Sequence, residues 1–189
     1  MKIDGNTIRP GMVIEHQSRL WRVIKIQHTQ PGKGGAYLQV ELKELKDGSK
    51  LNERFRSSEK VERVRLDQKE YQFLYQDNGA FNFMDNESFE QLSVGKDIIS
   101  ENQIPFLQDG MVVTIETYED SIIGVQLPDT ITLEVISADA VVKGQTASSS
   151  YKPAITENNI KVMVPPHITI GARIVISTMD GSYVERAKD

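Results

Sequence analysis

The 189-residue chain contains no cysteine and a single tryptophan. Without cysteine there is no disulfide framework, no thiolate metal site and no cysteine nucleophile. No apolar run approaches the length needed to cross a hydrocarbon core of about 30 Å. The opening residues, Met1-Lys2-Ile3-Asp4-Gly5, lack the apolar stretch of a secretory leader. Long amphipathic helical patterns are scarce, and no Gly/Ser-rich spacer divides the chain. What remains, 39% hydrophobic and 26% charged, is the composition of a folded globular protein. A cytoplasmic, membrane-free protein is expected.

Charge of one sign is also unevenly supplied. The net charge of −5 argues at first against a nucleic-acid partner. Residues 1–64 nevertheless hold 13 Lys/Arg against 8 Asp/Glu, whereas residues 65–126 hold 3 against 12 and residues 127–189 hold 6 against 7. Local potential, not the sum, governs encounter with an anion. The basic first third can therefore meet RNA, while the acidic middle third should face solvent or a basic protein.

Alternating apolar and polar residues recur between Gly, Asn and Asp, the pattern of short half-buried strands. Leu38, Val40 and Leu42 alternate with Gln39, Glu41 and Lys43. Tyr71, Phe73 and Tyr75 precede Asp77-Asn78-Gly79, and Phe81 and Phe83 follow. That spacing predicts a hairpin with a type I′ turn, and its aromatics form a core-facing stripe or, alternatively, a base-stacking platform. Glu87–Leu92 is the best helical candidate, one or two turns long. Gly110-x-x-Val113-x-Ile115-x-Thr117 returns as Gly171-x-x-Ile174-x-Ile176-x-Thr178, an offset of 61 residues. With the charge break near residue 64, this spacing predicts an all-β chain of three small barrel domains, at 1–64, 65–126 and 127–189. Ala147-Ser148-Ser149-Ser150 reads as a loop within the third.

Chemistry-bearing constellations are few. His16, His28 and His167 are far apart, with no ligand spacing around them, so no metal, cofactor or catalytic site is expected. Asn86-Glu87-Ser88 matches a glycosylation sequon that has no meaning in a cytoplasmic chain. The informative segment is Thr29-Gln30-Pro31-Gly32-Lys33-Gly34-Gly35, which joins the strands predicted at Leu20–His28 and Ala36–Lys43. Three glycines flank one lysine, so the tip can enter a narrow space and still present a cation. About five paired residues per strand would hold it some 17 Å from the barrel. A P-loop is excluded, because Gly-x-x-x-x-Gly-Lys-Ser/Thr is absent. A solvated hairpin tip and a probing or modification site both stay open on these residues alone.

The tip Pro31-Gly32-Lys33-Gly34-Gly35-Ala36-Tyr37 resembles that of the bacterial elongation factor P family. The likeness runs the length of the chain: Gly11-Met12-Val13, Asn52-Glu53-Arg54-Phe55, Tyr71-Gln72-Phe73-Leu74-Tyr75, Phe83-Met84-Asp85, Lys143-Gly144, Lys152-Pro153-Ala154, Val164-Pro165 and Gly181-Ser182-Tyr183-x-x-Arg186. The resemblance implies an SH3-like (KOW-type) barrel followed by two OB-type barrels in an L-shaped, tRNA-like arrangement. It implies a monomeric factor that binds the ribosome, through ribosomal RNA and proteins, between the peptidyl and exit tRNA sites. There it would relieve stalling at consecutive prolines, with Lys33 directed at the peptidyl-transferase centre beside peptidyl-tRNA. It further implies that Lys33 is a candidate for covalent extension, by β-lysylation through a lysyl-tRNA-synthetase-like enzyme or by another addition. Gly144-Gln145-Thr146 and Glu157-Asn158-Asn159 depart from the Gly-Asp-Thr and Glu-Thr-Gly usual in such proteins.

From residue chemistry, Arg19, Arg22, Lys25, His28 and Lys43 are RNA-contact candidates around the hairpin, and Tyr183 and Arg186 are candidates near the C-terminus. Each is also explicable as a solvated or packing residue. The competing function is a free-standing OB-type module for single-stranded RNA, which would bind RNA without ribosomes.

Overall fold

The computed structural model describes residues 1–140 and 150–188. Lys143-Gly144, the Gly144-Gln145-Thr146 departure and Ala147–Ser149 lie outside the described residues. Every element described is a strand apart from two short 3₁₀ turns, Gly5–Thr7 and Ile104–Phe106. Six strands form the first sheet: β1 (Lys2–Asp4), β2 (Val13–His16), β3 (Arg19–Thr29), β4 (Tyr37–Glu44), β5 (Lys50–Arg56) and β6 (Lys60–Val64). Their order is β1-β6-β2-β3-β4-β5. The second sheet runs β11-β10-β7-β8-β9, from β7 (Asp67–Asp77), β8 (Ala80–Asp85), β9 (Gln91–Val94), β10 (Val112–Tyr118) and β11 (Ser121–Gln126). The third runs β14-β13-β12-β15-β16, from β12 (Thr130–Ala138), β13 (Lys152–Thr156), β14 (Lys161–Val164), β15 (Arg173–Ser177) and β16 (Tyr183–Arg186).

By contact the chain makes two compact units. One comprises Met1–Lys69 with Ile115–Gly124; the other comprises Glu70–Thr114 with the described residues from Val125 onward. The first unit is built on Ile8, Ile14, Trp21, Val23, Leu38, Val40, Leu42, Phe55 and Val61. Apart from Ile8, which follows the first 3₁₀ turn, these are alternate residues of the strands, as the period of two requires, and each buried large side chain contributes roughly 1.5–3 kcal/mol. Trp21 Nε1 donates to the His16 carbonyl at 2.9 Å, so its polar edge is satisfied. Gly5 admits no side chain, because a Cβ there would lie 2.3 Å from the Arg56 carbonyl oxygen. A separate core in the second unit gathers Phe106 with Ile131, Leu133, Val135, Val164, Ile174 and Ile176, among others.

The repeat read from the sequence has a structural cause. Gly110 N–H donates to the Phe73 carbonyl, and Phe73 N–H donates back to Met111; Gly171 and Ala172 make the same exchange with Val135. Both glycines have positive φ, +81° and +88°. The first sheet has a third copy, which the sequence pattern did not reveal: Gly11 donates to Val23, and Val23 donates back to Met12. Each sheet thus locks the start of one strand onto the middle of its long neighbour.

The aromatic hairpin forms, with Asn78 at φ +48° and Gly79 at +78° as a type I′ turn demands. Phe73, Phe81 and Phe83 are buried. A register shift between Phe73 and Tyr75 turns Tyr75 outward, leaving it half exposed. The helix expected over Glu87–Leu92 does not form. Asp85 Oδ1 accepts from the Glu87 backbone N–H at 2.8 Å, Phe89 takes φ +61°, and β9 begins at Gln91. The aspartate offers the backbone a turn that outcompetes so short a helix.

Candidate nucleic-acid interface

The loop of residues 30–36 closes β3 onto β4. Pro31, Gly32, Lys33, Gly34 and Gly35 are all exposed. Lys33 makes no hydrogen bond or ion pair with any described residue. Gly34 has φ +125°, a conformation that side-chain-bearing residues rarely adopt. Gly32 and Gly35, by contrast, have nothing within 4 Å of a built Cβ. Backbone geometry therefore requires only one of the tip glycines; the other two keep the tip slim around Lys33.

The loop is shorter in reach than the sequence suggested. β5 accompanies β4 up to the pair Tyr37↔Arg56, and Leu38 opposite His28 is fully buried. No free five-residue arm exists. Lys33 lies four residues beyond Thr29, so its Cα is at most about 14 Å past the last ladder pair. The base is fastened by Ser57, whose backbone N–H and Oγ both donate to the Ala36 carbonyl, at 3.1 and 2.9 Å. Above it the Arg54 guanidinium stacks 4.1 Å over the Tyr37 ring.

Register decides which cations share a face. Lys25↔Glu41↔Asn52, Gln27↔Gln39↔Arg54 and Thr29↔Tyr37↔Arg56 are rows across β3, β4 and β5, and Lys43↔Lys50 adds another. Because Leu38, Val40 and Leu42 fill the opposite face, these rows point away from the core. Lys25, Lys43, Lys50, Arg54 and Arg56 thus line one outward face behind the loop. The carboxylate within these rows, Glu41, is held by Lys50 at 3.9 Å. Arg54, Arg56 and Lys50 were not among the sequence candidates; alternation along Lys50–Arg56 was the signal that could have found them.

Of the other candidates, Arg22 pairs with Lys43 in the ladder and shares this outward face, whereas Arg19 and His28 do not and Tyr183 and Arg186 lie in the other unit. His28 pairs with Leu38, an odd number of residues from Lys25 along β3, and so sits on the opposite face. Arg19 is paired with Asp47 at 3.4 Å, both largely exposed. Hydrogen bonds from the Ser49 side chain and backbone hold the Asp47 carboxyl below its usual range. Arg22 is tied to Glu116 at 2.6 Å. Tyr183 and Arg186 belong to β16 in the other unit. Tyr183 meets Tyr151 edge-to-face at 6.3 Å, and burial pushes its phenol pKa up. His16 contacts Glu53 at 3.0 Å, and among the described residues no group of histidine and carboxylate side chains could hold a metal ion.

Three family models match the chain. They are the elongation factor P KOW-like domain over residues 4–61, the elongation factor P OB domain over 66–125 and the elongation factor P C-terminal region over 131–186. Elongation factor P of Parvibaculum lavamentivorans is 57% identical over 187 residues, covering 99% of this chain and 100% of its own. Elongation factor P of Zymomonas mobilis is 58% identical with the same coverage. The chain belongs to the elongation factor P family. Its fold is also similar to a solved eukaryotic translation initiation factor 5A from Methanococcus jannaschii, at TM-score 0.53 and 21% identity over 68% of this chain and 92% of that one. Membership makes the protein a translation elongation factor, in a family of factors that are not enzymes. Within the elongation factor P framework, the KOW-like match contains Lys33, its loop and the whole cationic face of β3–β5. Tyr183 and Arg186 fall in the C-terminal match. No helix among the described residues is long and apolar enough to cross a membrane.

Proposed function

We propose that this elongation factor binds the ribosome between the peptidyl and exit tRNA sites and promotes peptide-bond formation at consecutive prolines by positioning peptidyl-tRNA through Lys33. The observation that carries the reading is an unpaired lysine at the exposed tip of a slim loop, backed by a cationic sheet face. A prolyl nucleophile has a fixed φ, so a chain ending in prolines misplaces the reacting groups. Holding them in attack geometry lowers the barrier without acid–base chemistry from the factor. Lys33 suits this work, since its ammonium is a compact cation on a flexible stem that can contact phosphates and 2′-hydroxyls. The face of Lys25, Lys43, Arg54 and Arg56 would attract RNA phosphate, with Tyr37 held flat beneath Arg54. The acidic residues 65–126 would be kept from RNA, so that one end approaches productively. The domain division at 1–64, 65–126 and 127–189 belongs to the same proposal. A covalent addition to Lys33 would lengthen its reach; an intact mass of the natively expressed protein, with the tip peptide sequenced, reads this directly.

The deciding experiment is reconstituted translation of a message encoding consecutive prolines. The unaltered chain should relieve the stall, and Lys33→Ala should lose most of that relief. Full relief by Lys33→Ala would refute the reading. Binding to isolated RNA with no saturable binding to ribosomes would favour a free-standing RNA module instead.

A further inference from the structure

The outward face of β3–β5 changes character along its length. Far from the loop its rows carry Lys25, Lys43 and Lys50, point charges on flexible stems. Nearer the loop comes the row Gln27↔Gln39↔Arg54, and after it Thr29↔Tyr37↔Arg56. Arg54 is not opposite Tyr37 in the ladder. It reaches across diagonally, and its Cζ lies 4.1 Å from the centre of the Tyr37 ring. The ring therefore occupies one side of the guanidinium. Arg54 is exposed, which leaves the other side to solvent, and its side chain makes no hydrogen bond or ion pair with any described residue. Gln27 and Gln39 are exposed as well, and neither side-chain amide is hydrogen-bonded to a described residue. Phosphate alone calls only for donors and charge. Here a flat cation is already held on a ring, beside amides that both donate and accept.

We propose that Arg54, stacked on Tyr37 and flanked by Gln27 and Gln39, is a binding site for an unpaired RNA nucleobase. The choice of RNA as ligand rests on the function proposed above; within it, this site engages a base, where the lysines engage only the backbone. Bases splayed out of single-stranded RNA stack on aromatic rings and on guanidinium planes, and a guanidinium adds cation–π attraction. A base laid on the free side of Arg54 would continue the stack begun by Tyr37, with the amide row beside its edge. Tyr37 stands four residues after Lys33, so the two Cα atoms are at most about 14 Å apart. A cation at the tip holds phosphate at any rotation about that contact; a stacked base at the root of the loop fixes the rotation.

Two measurements on the full chain test this. The first follows affinity for ribosomes carrying peptidyl-tRNA stalled at prolines, from about 50 to 200 mM salt. R54K keeps the charge and loses the plane. It should bind about fivefold more weakly with an unchanged slope of log K on log salt, because a stack is lost and the charge is not. Y37F, which keeps the ring, should bind within about twofold of the unaltered chain, and Y37L about tenfold more weakly. R54K with the affinity of the unaltered chain would overturn the stack while leaving ribosome binding intact. The second records the Arg54 Nε–Hε NMR resonance as a short oligoadenylate is added and, separately, an abasic ribose-phosphate oligomer of the same length. Oligoadenylate should move the resonance upfield through the ring current of the stacked base, in the unaltered chain and in Lys33→Ala alike, and the abasic oligomer should not. Equal shifts with both oligomers, or no shift with oligoadenylate, overturn the proposal and leave the ribosomal function standing. A shift with oligoglutamate and none with oligoadenylate also overturns it. An upfield shift with oligoadenylate in a chain that does not bind ribosomes supports the stack and refutes the ribosomal function.

Discussion

The two ends of the β3–β4 hairpin are made of the same strands and do opposite things. At the barrel end, Trp21, Val23, Val40 and Leu42 are buried, Arg22 is committed to Glu116, and Arg19 is paired with Asp47. At the tip, residues 31–35 are exposed and Lys33 makes no hydrogen bond or ion pair with any described residue. Charges at one end are spent inside the molecule; the charge at the other is left for something outside it. Stability and function should therefore separate along about ten residues of strand.

The largest expected effect is functional. Lys33→Ala should lower stall relief by up to about a hundredfold, the scale of a lost positioning contact. Its melting temperature should nevertheless match that of the unaltered chain, and a clear drop would break the comparison. Leu38→Ala, at a fully buried position, should show the reverse signature. It should cost about 2–5 kcal/mol by urea unfolding, while the folded fraction keeps its ribosome affinity. Within the tip itself, Gly34→Ala should cost about 1 kcal/mol from backbone strain, and Gly35→Ala should cost almost nothing, since only Gly34 has the restricted φ. Equal costs would mean that the tip does not hold this conformation in solution.

The smallest effect concerns pH. Ser49 holds Asp47 ionised below the ordinary carboxylate range, and Ser182 does the same for Asp180 through the matching Asp-Gly-Ser turn. A depressed folded pKa stabilises above the unfolded pKa, and that stabilisation is lost as pH falls through the folded value. Carboxyl NMR titration should therefore give both aspartates midpoints below that of an unstructured aspartate. Ordinary midpoints would remove the turns from the stability account.

Much of this was legible beforehand. The alternation of Leu38, Val40 and Leu42 against Gln39, Glu41 and Lys43 fixes which face of β4 is buried, because the strand period is two. Asn78-Gly79 specifies its turn because both residues must take positive φ. Lys33 stood out because three glycines around one cation leave nothing else for a tip to present. The helix expected over Glu87–Leu92 gave way because Asp85 captures the backbone in a turn. The 17 Å arm failed because β5 was not counted as a companion of β4.

Other features had no signature along the chain. Lys25, Arg54 and Arg56 come to one face only through the register of β3, β4 and β5, which a single strand does not carry. Glu116 lies 94 residues from Arg22, and no local pattern announces their contact. The need for glycine at position 5 comes from the Arg56 carbonyl, fifty-one residues away. The sequence by itself determined the all-β class, the turns and the tip lysine, since these follow from local backbone preference and periodicity. Only the tertiary structure decided which charges are neutralised and which remain available, because that depends on side chains brought together from distant strands.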